Sequence, residues 1–159
     1  MNRLKVLVVD DQEDFLHYQK DLLTEVGIDV QVTTDTSKVV GLIESFDPDL
    51  LMLDKLMNID GLVIAEEVKQ KFDFLPVLIV STSVYDCDKR KAWTIGCIDY
   101  IRKDIDTHQF ISMIKDFCLA GHFAKSVSSY ATTVKKGVDA LEGILISKQD
   151  VGNDEDKLW

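Results

Sequence analysis

Apolar residues along this chain gather into short uninterrupted runs separated by amphipathic stretches. Leu4 to Val9 is nearly continuous (Leu4, Val6, Leu7, Val8, Val9) and ends in Asp10 and Asp11. Leu50 to Leu53 is wholly apolar and ends in Asp54. Val77 to Val80, opened by Pro76, is again uniform and ends in Ser81, Thr82 and Ser83. Short runs without alternation predict strands covered on both faces, as in the middle of a parallel sheet. Two other segments alternate apolar with polar positions. Ile28, Val30 and Val32 form one, and Ile98, Tyr100 and Ile101, broken by Asp99 and leading through Arg102 to Lys103, form the other. Alternation suits strands nearer a sheet edge.

Between these runs the period changes to that of helices. Phe15, Leu16, Leu22, Leu23 and Val26 share one face, and Gly27 stops the helix as a C-cap. Val39, Val40, Leu42, Ile43 and Phe46 form a second face, with N-caps offered by Asp35, Thr36 and Ser37 and closure at Asp47 and Pro48. After a turn at Ile59 to Gly61 come Leu62, Ile64, Ala65, Val68 and Phe72. A polar helix from about Asp86 to Ile95, with Trp93 as its largest apolar group, ends at Gly96, and a last one runs from Thr107 to Leu119. Five strand and helix pairs with short connections predict an α/β fold, a doubly wound five-stranded parallel sheet of the flavodoxin-like kind. Right-handed crossovers and strand order 2-1-3-4-5 place the two alternating strands at the edges and the three uniform ones inside.

That order makes the first and third strands neighbours, so Asp10, Asp11 and Asp54 converge on one crevice at the carboxyl edge, where open sheets bind ligands. Asp54 alone would read as a turn aspartate on the rim. Three carboxylates together repel and raise one another's proton affinity unless a cation lies among them, and Mg2+ takes such oxygen ligands. Ser81 and Lys103 at the ends of the fourth and fifth strands add a hydroxyl and an ammonium. The set suits phosphoryl transfer.

Charge and composition narrow the class. The 159 residues suffice for one domain and an appendage, and the formal net charge of -10 argues against a nucleic-acid surface and in favour of protein partners. No secretory signal or membrane-spanning window is present, which predicts a cytoplasmic protein. Cys87, Cys97 and Cys118 show neither disulfide nor zinc spacing, and His17, His108 and His122 lack a second ligand at metal spacing.

The chain resembles the receiver domain of two-component response regulators over roughly Leu4 to Leu119. The resemblance rests on Asp10 and Asp11 after the first strand, Asp54 followed by Met57, Asp60 and Gly61, Ser81 after the fourth strand, and Tyr100 with Lys103 on the fifth. It implies that Asp54 takes a phosphoryl group from the phosphohistidine of a sensor kinase or phosphotransfer protein. It further implies that Asp11, Asp54 and the backbone carbonyl of Leu56 touch the metal, that Asp10 acts mainly through water, and that Lys103 and Ser81 contact phosphoryl oxygens. Tyr100 would turn from exposed to buried as Ser81 moves inward, changing the face made by the fourth helix, fifth strand and fifth helix. Beyond catalysing its own phosphorylation and dephosphorylation, no substrate turnover is expected.

Three positions depart from that pattern. Asp104 follows the key lysine in place of proline, and Asn58 follows Met57 in place of another. Leu56, two residues past the nucleophile, cannot orient an attacking water, and Ser83 could do so only weakly, which predicts slow self-dephosphorylation. A receiver-like docking module that is never phosphorylated is the alternative, for which Asp104 is the one hint. A haloacid dehalogenase-like phosphatase would need a second Asp where Leu56 stands, and a flavodoxin-like cofactor binder would need a phosphate cradle where Asp10, Asp11, Glu13 and Asp14 stand.

The boundaries expected are a receiver over 1–120 and an extension over 121–159, helical from about 123 to 147 and then loose and acidic. Val127, Ala131, Val134, Val138, Leu141 and Leu145 follow the alternating spacing of a coiled-coil seam. The seam suits a helix folded on its own domain or one that joins a homodimer. Output would pass to a downstream protein or to an output domain absent from this chain.

Overall fold

The computed structural model describes residues 2–152. Five strands, β1 (Lys5–Val9), β2 (Asp29–Thr33), β3 (Leu50–Asp54), β4 (Val77–Ser81) and β5 (Asp99–Arg102), form one parallel sheet in the order β2-β1-β3-β4-β5. The uniform runs take the inside places and the alternating ones the edges, as their patterns require. Every residue of β3 and β4 is buried. Helices α1 (Glu13–Glu25), α2 (Val39–Phe46), α3 (Gly61–Lys71), α4 (Asp86–Ile95) and α5 (Thr107–Gly152) follow the strands in turn.

Alternating side chains of the sheet feed two cores. Leu7, Val9, Leu51, Leu53, Val77 and Ile79 face the cluster that holds Ile43, Ala65 and Val68. Val6, Val8, Leu50, Met52, Leu78 and Val80 face the other, with Leu16, Leu23, Phe110 and Ile114. Fully burying each such side chain stabilises by about 1.5–3 kcal/mol, so the strand interiors are the most strongly specified part of the chain.

Local chemistry explains the helix ends. Gly27 and Gly96 take positive φ after α1 and α4, as helix terminators do. Asp47 adopts φ 51 after α2, a left-handed turn that Asp tolerates better than most side chains. The Asp35 carboxylate accepts from the Ser37 N–H, but the turn it caps is a 3-10 turn (Thr36–Lys38) that precedes α2. In α4 only Ala92 is buried, whereas Trp93 is 62% exposed, so the small residue anchors this polar helix.

The helix expected over about 123–147 is present, but not as a separate element: it continues α5, which runs unbroken through Gly121. That glycine serves packing rather than termination, because a Cβ there would overlap the carbonyl oxygen of Asp49 and crowd Pro76. Helix also continues past residue 147, to Gly152; the remainder of the expected acidic tail, with Asn153, Asp154, Glu155 and Asp156, lies outside the described residues. The chain divides into two compact units, the first ending at Ala124 and the second starting at Lys125. Among the described residues no helix is long and apolar enough to cross a membrane.

Candidate functional site

Parallel pairing sets Val9 opposite Leu53, so the residues that follow, Asp10 and Asp54, emerge side by side. Asp10 is 1% exposed and Asp54 5% exposed, deeper than a rim position, while Asp11 is exposed. One carboxylate oxygen from each of the three lies within 4.8 Å of the others. The Asp10 carboxylate accepts from the Gln12 N–H at 2.9 Å, which shapes the β1–α1 turn around it.

On the other side, the Lys103 N–H donates to the Ser81 carbonyl at 2.8 Å and turns the lysine into the same crevice. Its Nζ stands 2.6 Å from Asp10 Oδ2 and 3.6 Å from Asp54 Oδ2. The shorter contact is an ion pair without hydrogen-bond alignment, and the ammonium also lies 4.3 Å from the centre of the Phe15 ring. A cation over an aromatic face gains from the ring quadrupole, so Phe15 helps to hold the charge. Ser81, like Asp54, is buried at its strand end.

Burial pushes the Asp54 carboxyl up to about 6, and the neighbouring charge of Asp10 adds to the rise. Lys103 and the Leu56 N–H, 3.4 Å from Oδ1, pull it down, and Asp11 contributes a further small rise. Desolvation therefore outweighs the like-charge repulsion that the sequence pattern suggests. Three clustered carboxylates, with Asp54 held above its ordinary proton affinity, fit a small hard divalent cation such as Mg2+.

Tyr100 is buried, 2% exposed, in the inward position that the sequence reading reserves for the activated state. Burial pushes its phenol up, with the Ser81 hydroxyl pulling the other way, although no aligned hydrogen bond satisfies the Tyr100 oxygen. Asp104 forms a two-pronged pair with Arg102, at 2.9 and 2.8 Å, around the intervening Lys103. An Arg–carboxylate fork thus restrains the loop where the resembled pattern has proline, and no cis peptide bond occurs among the described residues.

Two contributors escaped the sequence reading. Phe15 appears there only as a core residue of α1. Lys55, directly after Asp54, points to the opposite side of the strand: its Nζ is 2.8 Å from Asp60 Oδ2 and 4.0 Å from Asp88 Oδ2. Its carbonyl accepts from the Gly61 N–H at 3.0 Å, and Asp60 caps α3 through the Leu62 N–H at 2.9 Å. The loop after Asp54 is therefore closed on itself at both backbone and side chain. Gly61 permits that closure, since a Cβ there would overlap the Asp54 carbonyl. Alternation along β3 was the available signal for Lys55; its partners depend on loop geometry that no spacing rule supplies.

A doubly wound sheet with an acidic pocket, a lysine and a hydroxyl on its carboxyl edge is the build of a receiver domain. Residues 6–115, well over half of the chain, match the response regulator receiver domain, and the chain belongs to that family. Solved structures agree in fold. A CheY-like receiver domain protein from Methanospirillum hungatei is 20% identical with a TM-score of 0.71, over 76% of this chain and 98% of that one. The receiver domain of a Francisella response regulator is 26% identical with a TM-score of 0.67, over 73% and 97%. The BeF3-activated N-terminal receiver domain of RstA from Klebsiella pneumoniae is 19% identical with a TM-score of 0.68, over 72% and 97%.

Proposed function

We propose that this receiver is a phosphorylation switch whose acceptor is Asp54. The observation that carries the reading is a buried carboxylate held among Asp10, Asp11 and Lys103. An oxygen of Asp54 attacks the phosphorus of a histidine phosphoramidate on a sensor kinase or phosphotransfer protein. The new O–P bond forms as the P–N bond breaks, and the imidazole nitrogen keeps the electron pair and takes up a proton. Asp11, Asp54 and the Leu56 carbonyl, with Asp10 behind, would hold Mg2+, whose charge would offset that of the transferring group. Lys103 exchanges Asp10 for a phosphoryl oxygen, and the Ser81 hydroxyl donates to another.

The phosphoryl group then favours the conformer with Ser81 drawn in and Tyr100 inward, and shifts the population by its difference in affinity for the two states. The surface of α4, β5 and α5 carries the change to a downstream protein or output domain, and the helical extension is a second route. Slow self-dephosphorylation follows from Leu56, whose exposed apolar side chain cannot orient water.

Intact mass after incubation with acetyl phosphate and Mg2+, and separately with a phosphorylated kinase, tests the reading. The expected result is one added phosphoryl group that depends on Mg2+ and is lost in Asp54→Ala. No adduct from either donor would leave the docking-module reading in its place.

A further inference from the structure

From Ser129 to Ser147 every residue of α5 is exposed, and this stretch is as apolar along one stripe as a protein interior. Val127, Ala131, Val134, Val138, Leu141 and Leu145 alternate spacings of four and three, while Lys135, Lys136, Asp139 and Glu142 all fall off the stripe. A sustained seam of this spacing, free of charge, is complementary to a helix of the same kind. We propose that the seam pairs in parallel and in register with the same seam of a second copy of this chain.

Charge and apolar area select the arrangement. An antiparallel pairing that sets Val138 against Leu141 and Val134 against Leu145 brings Lys135 near Glu142 of the other copy, twice. It also carries Val127 and Ala131 beyond the end of the other copy's seam, so two of the six apolar positions on each helix lose their partners. Two exposed ion pairs contribute less than those buried side chains. Shifting the antiparallel register by one heptad restores all six but sets Lys135 against Lys135 of the second copy. Only the parallel arrangement keeps six apolar layers with no like charges across the flanks. There Tyr130 lies beside Lys135 of the second copy and Gly137 beside Glu142.

This pairing does not depend on phosphorylation of Asp54. Sedimentation equilibrium of the full chain at micromolar concentration is expected to give a dimer mass. Leu141→Asp, at an exposed position, should weaken association at least tenfold while circular dichroism shows the domain still folded. Orientation is read from Val134→Cys in a Cys87→Ser background, since the other two cysteines are buried. Parallel in-register pairing brings the two introduced thiols together, so mild oxidation yields a covalent dimer. A monomeric wild type, a dimer indifferent to Leu141→Asp, a larger oligomer, or a Val134→Cys dimer that fails to link would each overturn the proposal.

Discussion

At the scale of single residues, the site holds Asp54 in an environment that disfavours its own charge. Its folded pKa of about 6 lies above the ordinary 3.8, with burial the first cause and Asp10 the second. Between those values the folded state binds more protons at this group than the unfolded state, so this contribution to stability falls as pH rises, and the loss is complete above the folded pKa. Asp54→Asn removes the charge at nearly constant shape. Urea unfolding should therefore find Asp54→Asn more stable than wild type by about 1–3 kcal/mol at neutral pH, with the gap closing near pH 4. Saturating Mg2+ should narrow the gap at neutral pH by stabilising the wild type. A variant less stable than wild type at neutral pH would mean that Lys103 already compensates Asp54 in full. The residues of this balance were legible in sequence because each lies at a strand end: strand order sets Asp10 beside Asp54, while Lys103, two strands away from β3, reaches them through its backbone turn at Ser81 and its long side chain. Phe15 and Lys55 were not, because side-chain direction across a helix face or loop closure decides their contacts.

At the scale of elements, glycines separate what spacing reveals from what packing requires. Gly121 and Gly137 both lie inside α5, and by propensity Ala at either should stabilise a helix by about 1 kcal/mol. Open space surrounds Gly137, so Gly137→Ala should show that gain. At Gly121 a Cβ meets backbone of Asp49, which cannot move aside as a flexible side chain can, and overpacking of this kind costs about 1–3 kcal/mol. Thermal or urea unfolding of the two variants is expected to give opposite signs. Equal stabilisation would show that α5 shifts away from Asp49 without loss. The same contrast explains why the break expected near residue 121 is absent: a glycine that ends a helix and one that lets a helix lie close to a neighbour look alike in sequence. Strand extents and order, which follow from the length and uniformity of apolar runs, needed no such information.

At the scale of the whole molecule, the two compact units differ in what holds them. Every buried apolar residue of both core clusters lies between Val6 and Cys118, so the first unit contains the material of its own stability. Charge −10 and the seam after Ala124 were both visible in the sequence, and the boundary expected at residue 120 differs by about four residues from the end of the first unit at Ala124, because helical periodicity runs unbroken through the junction. A chain truncated after Ala124 is expected to unfold cooperatively with a midpoint within about 4 °C of the full chain, equivalent to less than about 1 kcal/mol for a domain of this size. Differential scanning calorimetry at several protein concentrations measures it. The truncated chain should show no concentration dependence, whereas pairing of the extension makes the full chain's midpoint rise with concentration by mass action. A truncated domain that melts far lower even at the lowest concentration would assign the extension a direct part in the fold of the receiver.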